Sequence, residues 1–237
     1  MSPTAAARGA ASAAADLVRA HRGIEQPTTF RLLGREWDLL PGVYAPGLTP
    51  SAALYAEWLP YPAGGSFCEV GSGTGYLAVT AALRGCARVT ALDVAATAVE
   101  NTRRNAARHG VGERVTVYQG DLFAPLTAED TYDVVFWNSN FVDAEPVGDD
   151  DGLDRAVFDP GYASHRTFLE TAAAHLAPGG RLLLGFCDLG HRDLLERLAR
   201  ETGWVVVPAR TARSTTPTGS VTFELLGLVP SANGPPR

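Results

Sequence analysis

The chain has 237 residues, 46% hydrophobic and 19% charged, with 20 basic against 26 acidic side chains and a formal charge of −6. That length buries a full core without disulfides or a structural metal, and the acidic balance argues against a broad, sequence-independent grip on nucleic acid. Every basic residue is arginine, which excludes Schiff-base chemistry, a P-loop lysine and a kinase-type lysine together. Cys68, Cys86 and Cys187 are too few and too scattered for a disulfide framework or a metal site and read as buried free thiols. No apolar run reaches the roughly 18 residues of a membrane span. The Ala-rich N-terminus lacks the charged-then-apolar order of a signal peptide, so a cytoplasmic protein is expected.

Residues 1–10 read as a tail, Ala11–Arg22 as a short helix, and Phe30–Leu33 with Glu36–Leu40 as a hairpin about Gly34-Arg35. Thr49-Pro50 predicts an N-cap followed by proline at the first helical position, opening a helix that runs to Pro60. After Gly64-Gly65 the spacing predicts strands at Ser66–Val70, Val89–Asp93, Val115–Gln119, Tyr132–Trp137, Arg181–Phe186, Trp204–Pro208 and Val221–Val229. Helices fall between them near Tyr76–Leu83, Ala95–His109, Tyr162–Leu176 and His191–Thr202. This alternation predicts an α/β fold: a Rossmann-like, seven-stranded, mostly parallel sheet with helices on both faces. Ser214–Ser220 joins the last two strands without a helix, so they are expected to form an antiparallel C-terminal hairpin. Residues 1–65 are expected to be a tail, helix and hairpin forming a lid, and 66–237 the ligand-binding domain.

The strongest motif is Glu69-Val70-Gly71-Ser72-Gly73-Thr74-Gly75-Tyr76, where the first core strand ends and a helix begins. Glycines there let the backbone turn tightly and lie against a ligand, although a turn without a ligand would share them. The spacing is GxGxG and lacks the later glycine of the dinucleotide fingerprint. Glu69, two residues before the first glycine, suits an ammonium and repels a pyrophosphate. Asp93 closes the next strand, 20 residues after Gly73, where a carboxylate accepts both hydroxyls of a ribose. Asp121 and Leu122 follow the third strand, within reach of an adenine. Three acids at the carboxyl ends of adjacent parallel strands converge on the crevice where such sheets bind ligands.

Together these residues resemble the class I S-adenosylmethionine-dependent methyltransferases, from about Ser66 to the end of the chain. The resemblance implies that S-adenosyl-L-methionine is the cofactor. Glu69, Gly71, Ser72, Gly73 and Gly75 would hold its methionine part, Asp93 its ribose, and Asp121 with Leu122 its adenine. Asn138-Ser139-Asn140-Phe141 resembles the Asp/Asn-Pro-Pro-Tyr/Phe motif of the amino-methylating members, such as the protein-glutamine and ribosomal-RNA guanine N-methyltransferases. There the first side-chain oxygen and a following main-chain carbonyl accept hydrogen bonds from the target NH2, and the aromatic ring packs on the substrate. By that likeness Asn138 is the expected catalytic residue, beside the cofactor. Ser139 and Asn140 replace the two prolines, which stiffen such a turn, and with Phe141 are expected to contact the substrate.

Pro41–Thr49 resembles the segment that overlies the cofactor in the same subgroup, making Tyr44 a candidate substrate contact and Thr49 a cofactor contact. Tyr162 and His165 are expected near the substrate mouth, with His165 able to take a proton after transfer. The acidic loop Asp143–Asp159 reads either as a solvated surface or as a recognition element for an amine or guanidinium; no metal is assigned to it. With only about 65 residues ahead of the core and an acidic charge, a small amine, amide or guanidinium compound is the expected methyl acceptor. Alternatives are a protein-glutamine or RNA N-methyltransferase and a small-molecule O-methyltransferase. From other classes come a catalytically silent cofactor-binding protein and a nicotinamide oxidoreductase.

Overall fold

The structure is a computed structural model, described here for residues 5–146, 152–216, 219–232 and 234. Helix α1 (Ala5–Arg22) precedes an antiparallel hairpin, β1 (Thr28–Leu32) and β2 (Arg35–Leu39), and then α2 (Ser51–Trp58). The core alternates: β3 (Ser66–Val70), α3 (Tyr76–Leu83), β4 (Arg88–Asp93), α4 (Ala96–Arg108), β5 (Val115–Gln119) and β6 (Tyr132–Asn138). Next come α5 (Ala163–Thr171), β7 (Leu176–Cys187), α6 (Arg192–Glu201), β8 (Trp204–Thr216) and β9 (Gly219–Pro230).

The seven core strands lie in the order β5-β4-β3-β6-β7-β9-β8, parallel from β5 to β7, with β9 running antiparallel between β7 and β8. All five residues of β3 are buried, as a strand covered on both faces requires. Alternation along the strand divides them: Phe67 packs with Leu77, Val79 and Phe136 on one face, Cys68 and Val70 with Val135, Phe168 and Trp204 on the other. Glu69 shares the first face, directed toward α3. Connections leave β3 toward β4 on one side while β6 lies on the other, so the crevice at the carboxyl ends of β3, β4 and β6 is the topological switch point.

Several boundaries differ from expectation, and β7 starts at Leu176 instead of Arg181. The N-terminal helix already begins at Ala5, inside the segment read as a tail. Helix α5 stops at Thr171, and a 3-10 turn, Ala172–His175, carries the chain to β7. The Ser214–Ser220 link is mostly strand: Ser214 pairs with Val221 and Thr215 with Ser220, because Thr and Ser suit a pleated edge as well as a loop. Cys68, Cys86 and Cys187 are buried free thiols. Among the described residues no helix is long and apolar enough to cross a membrane.

Candidate active site

A cavity of about 460 Å³ opens at the switch point. Its floor is the glycine turn. Gly71, Gly73 and Gly75 all take positive φ, +64°, +54° and +74°. A Cβ on Gly75 would lie 2.5 Å from Thr102 Cγ2, whereas one on Gly73 would meet nothing within 4 Å. Behind the turn, α4 holds it: Thr102 donates to the Gly73 carbonyl (3.1 Å) and pairs with the Ser72 hydroxyl (3.0 Å), while Asn105 donates to the Thr74 carbonyl (2.8 Å). The front stays open toward a ligand.

Two acids enter this floor. Glu69 is 2% exposed and accepts one hydrogen bond, from the Ala78 N–H at 2.8 Å. Burial pushes its carboxyl well above the ordinary range, the Ala78 N–H opposes that, and the nearby Asp93 adds to the rise. Asp93 accepts from the N–H groups of Gly73 (2.8 Å) and Ala95 (2.9 Å), and burial still raises it. Each Asp93 oxygen keeps lone-pair capacity for a ligand hydroxyl. Asp121 stands exposed at the rim beside Leu122, whose φ is +46°.

Asn138 ends β6 one residue beyond the Val70–Trp137 pairing, level with the start of the glycine turn that follows β3. It lines the cavity, and its amide makes no hydrogen bond among the described residues. The side chain lies over Gly185 of β7, where a Cβ would come within 2.9 Å of both Asn138 Oδ1 and Tyr55 Cζ. Ser139 and Asn140 are buried and Phe141 half-buried; all three line the cavity. Tyr44 does so too, stacked on His21 with centroids 4.3 Å apart; burial raises its hydroxyl to about 12.

Three expected contacts are not brought to the cavity. Thr49 neither lines it nor caps α2; its hydroxyl pairs with Ser51 at 2.9 Å. The Tyr162 hydroxyl is consumed by the main chain, donating to the Phe141 carbonyl (2.5 Å) and accepting from the His191 N–H (2.7 Å). His165 is sealed, not at a mouth: it stacks on Tyr162 and its Nδ1 lies 2.7 Å from Asp159 Oδ2. Burial drives the imidazole below its ordinary pKa against the pull of Asp159. For Asp159, burial acts upward, but the His165 bond and two N–H groups outweigh it and hold the carboxyl low. A proton acceptor for the transfer is therefore not at His165.

The acidic loop is divided among structural duties. Asp143 bonds His191 and the Gly161 N–H, Asp154 pairs with Arg22 at 2.8 Å, and Asp159 holds His165. Asp149, Asp150 and Asp151 lie outside the described residues. Sequence reasoning missed Tyr55, Tyr76, Cys187 and Phe223 in the cavity wall. Of these only Tyr76 carried a signal, standing directly after the glycine turn.

Comparison with known proteins bears on this geometry. A family described as a methyltransferase domain matches residues 67–151, from β3 into the acidic loop. The chain carries a class I S-adenosylmethionine-dependent methyltransferase domain. This methyltransferase domain is 38% identical over 134 residues to the ribosomal protein uL3 glutamine methyltransferase of Bradyrhizobium diazoefficiens, covering 53% of this chain and 41% of that protein. Over 137 residues it is 35% identical to the release factor glutamine methyltransferase of Bordetella pertussis, covering 53% and 49%. The chain thus spans less than half the length of these relatives. In fold it resembles a T. thermophilus 16S rRNA methyltransferase solved with AdoMet and guanosine, at TM-score 0.60 and 21% identity over 86% of this chain and 50% of that one.

The cofactor of the family fits the residues present. A buried acid with no cationic partner among the described residues, a second acid beside it and a turn with glycine at 71, 73 and 75 suit a cationic nucleoside. The expectation of a small-molecule acceptor is overturned: both relatives are named for protein substrates.

Proposed function

We propose that this methyltransferase domain transfers a methyl group from S-adenosylmethionine to a side-chain amide nitrogen of a protein acceptor, in the manner its glutamine-modifying relatives are named for. The observation that carries the reading is Asn138: a half-buried amide, without a partner among the described residues, at the carboxyl end of β6 beside the glycine turn. Bound cofactor supplies an activated methyl on its sulfonium. Glu69 answers its ammonium, Asp93 its ribose, and Gly71, Ser72, Gly73 and Gly75 let the backbone approach, with Asp121 and Leu122 at the adenine edge. Asn138 Oδ1 accepts one N–H of the acceptor amide and a following main-chain carbonyl the other, turning the nitrogen toward the methyl; as the N–C bond forms the methyl–sulfur bond breaks, S-adenosylhomocysteine leaves, and the nitrogen's surplus proton passes to water. Phe141 and Tyr44 wall the apolar approach, and tight orientation with exclusion of water provides most of the rate. Residues 1–65 serve as a cover, since Leu17 and Tyr44 reach the cavity from that segment.

The test is methyl transfer from labelled cofactor to bacterial uL3 and release factors, each beside a glutamine-to-glutamate version. Label is expected in the glutamine forms only; equal labelling of both forms, or none, refutes the reading. Asn138→Ala is expected to lower kcat by roughly 100-fold while the cofactor Kd, from calorimetry, stays within about twofold.

A further inference from the structure

The turn Asn138–Phe141 must be held still for its amide to orient anything, yet it contains no proline and no cis peptide. Two side chains do the holding. Ser139 Oγ donates to the Gly185 carbonyl at 2.9 Å, and the Ser139 N–H reaches the same oxygen at 3.3 Å. Asn140 Nδ2 donates to the Phe158 carbonyl at 3.1 Å. The first bond ties the turn to β7, beneath Asn138; the second ties it to the returning limb of the acidic loop. That limb is itself fastened, with the Val142 N–H on the Val157 carbonyl (3.1 Å) and the Asp159 N–H on the Val142 carbonyl (2.9 Å). Tyr162 completes the frame by holding the Phe141 carbonyl.

Asn140 Oδ1 is buried with no hydrogen-bond partner among the described residues. A side chain retained for packing alone would not carry an unpaired acceptor into the interior. What the amide offers at that place is its Nδ2 donor, aimed at Phe158.

We infer that Ser139 and Asn140 are positioning residues, whose side-chain hydrogen bonds to Gly185 and Phe158 fix the acceptor-orienting turn by bonding rather than by proline rings. The inference rests on the proposed transfer to an amide for its kinetic consequence, but not for its structural one. Without the Asn140 bond, the turn is tied to the loop limb only beyond its end, through Val142 and the Tyr162 hydroxyl on the Phe141 carbonyl. Asn138 then samples several orientations, and turnover falls while the cofactor, held by β3 and β4, stays bound. Truncating Asn140 also removes the unpaired Oδ1, so stability changes less than the loss of a buried hydrogen bond alone would suggest.

Ser139→Ala, Asn140→Ala and the double variant are compared with the parent chain bound to S-adenosylhomocysteine. Amide hydrogen exchange over residues 139–142 is expected to rise about tenfold in Asn140→Ala, with Tm lower by less than about 5 °C. Cofactor Kd should stay within about twofold, and kcat should drop at least tenfold with little change in KM. Unchanged exchange in that segment overturns the inference, as does a loss of cofactor affinity parallel to the loss of turnover. Should Asn140→Ala not fold, Ser139→Ala gives the same readouts at the Gly185 end. If the parent chain transfers no methyl to any protein amide, the proposed function fails and exchange alone decides this inference.

Discussion

Glu69 is the residue on which ligand recognition turns. Its carboxyl sits in a wall that raises its pKa by burial, answered by a single N–H and worsened by Asp93. In the unliganded chain the sign follows from proton counting: the folded state binds a proton more readily than the unfolded one. Glu69 therefore costs stability as pH rises from the unfolded value through the folded one, and the cost is relieved in acid. An ammonium placed against it reverses the balance and drives the proton off. Cofactor affinity is accordingly expected to fall as pH drops through the raised Glu69 pKa. Calorimetry in buffers of different ionisation enthalpy should show proton release on binding. Glu69→Gln should weaken binding by about 30-fold or more, the scale of leaving one member of a buried charge pair alone. A pH-independent affinity with no proton release would count against the assignment.

At the level of elements, the glycine turn and α4 act as one unit. Thr102 and Asn105 face the turn from behind, and Asn101 and Asn105 also bind the hairpin. Asn101 Oδ1 accepts from the Leu40 N–H and Asn105 Oδ1 from the Asp38 N–H, both at 2.8 Å. This separates two glycines that look alike in the sequence. Gly75→Ala forces a Cβ to 2.9 Å from the Thr102 backbone at positive φ, and is expected to cost roughly 2–4 kcal/mol of stability. Gly73→Ala meets no neighbour, so urea unfolding should show only about 1–2 kcal/mol of backbone strain. Its methyl group projects into open space at the turn, and cofactor affinity should fall much further than stability does. Similar stability losses for the two variants would mean that α4 does not press on the turn as described.

Across the whole molecule, the N-terminal helix is coupled to the acidic loop. Ala14 and Val18 pack with Val142, Leu153, Val157 and Phe158, and Arg22 pairs with the buried Asp154. Helix α1 thus rests on the same limb that Asn140 grips. Val18→Asp places a charge in this satellite cluster, outside the two main cores. Exchange over residues 152–158 is expected to rise while β3 and β6 remain protected, and cofactor dissociation should quicken about tenfold. Loss of protection in β3 and β6 as well would show that helix α1 and the sheet unfold as one.

The sheet and its ligand floor follow from residues that lie close together in the chain. Strand and helix periods are local, a glycine turn needs nothing distant to adopt positive φ, and acids at strand ends are placed by chain order once the sheet is parallel. Glu69, Asp93, Asp121 and Asn138 were therefore legible as cavity residues. Which polar groups remain free depends instead on packing between segments distant in the chain. Tyr162, His165 and Thr49 carry suitable chemistry, yet the Tyr162 hydroxyl, the His165 Nδ1 and the Thr49 hydroxyl are each engaged by other protein groups, from two to about thirty residues away. For Tyr162 and His165 no local pattern announces the partner, because a buried polar atom pairs with whichever group the fold brings within reach, and most but not all such atoms find one. The same rule gave Ser139 and Asn140 their bonds to Gly185 and Phe158, and only the packed molecule could show which carbonyls those would be.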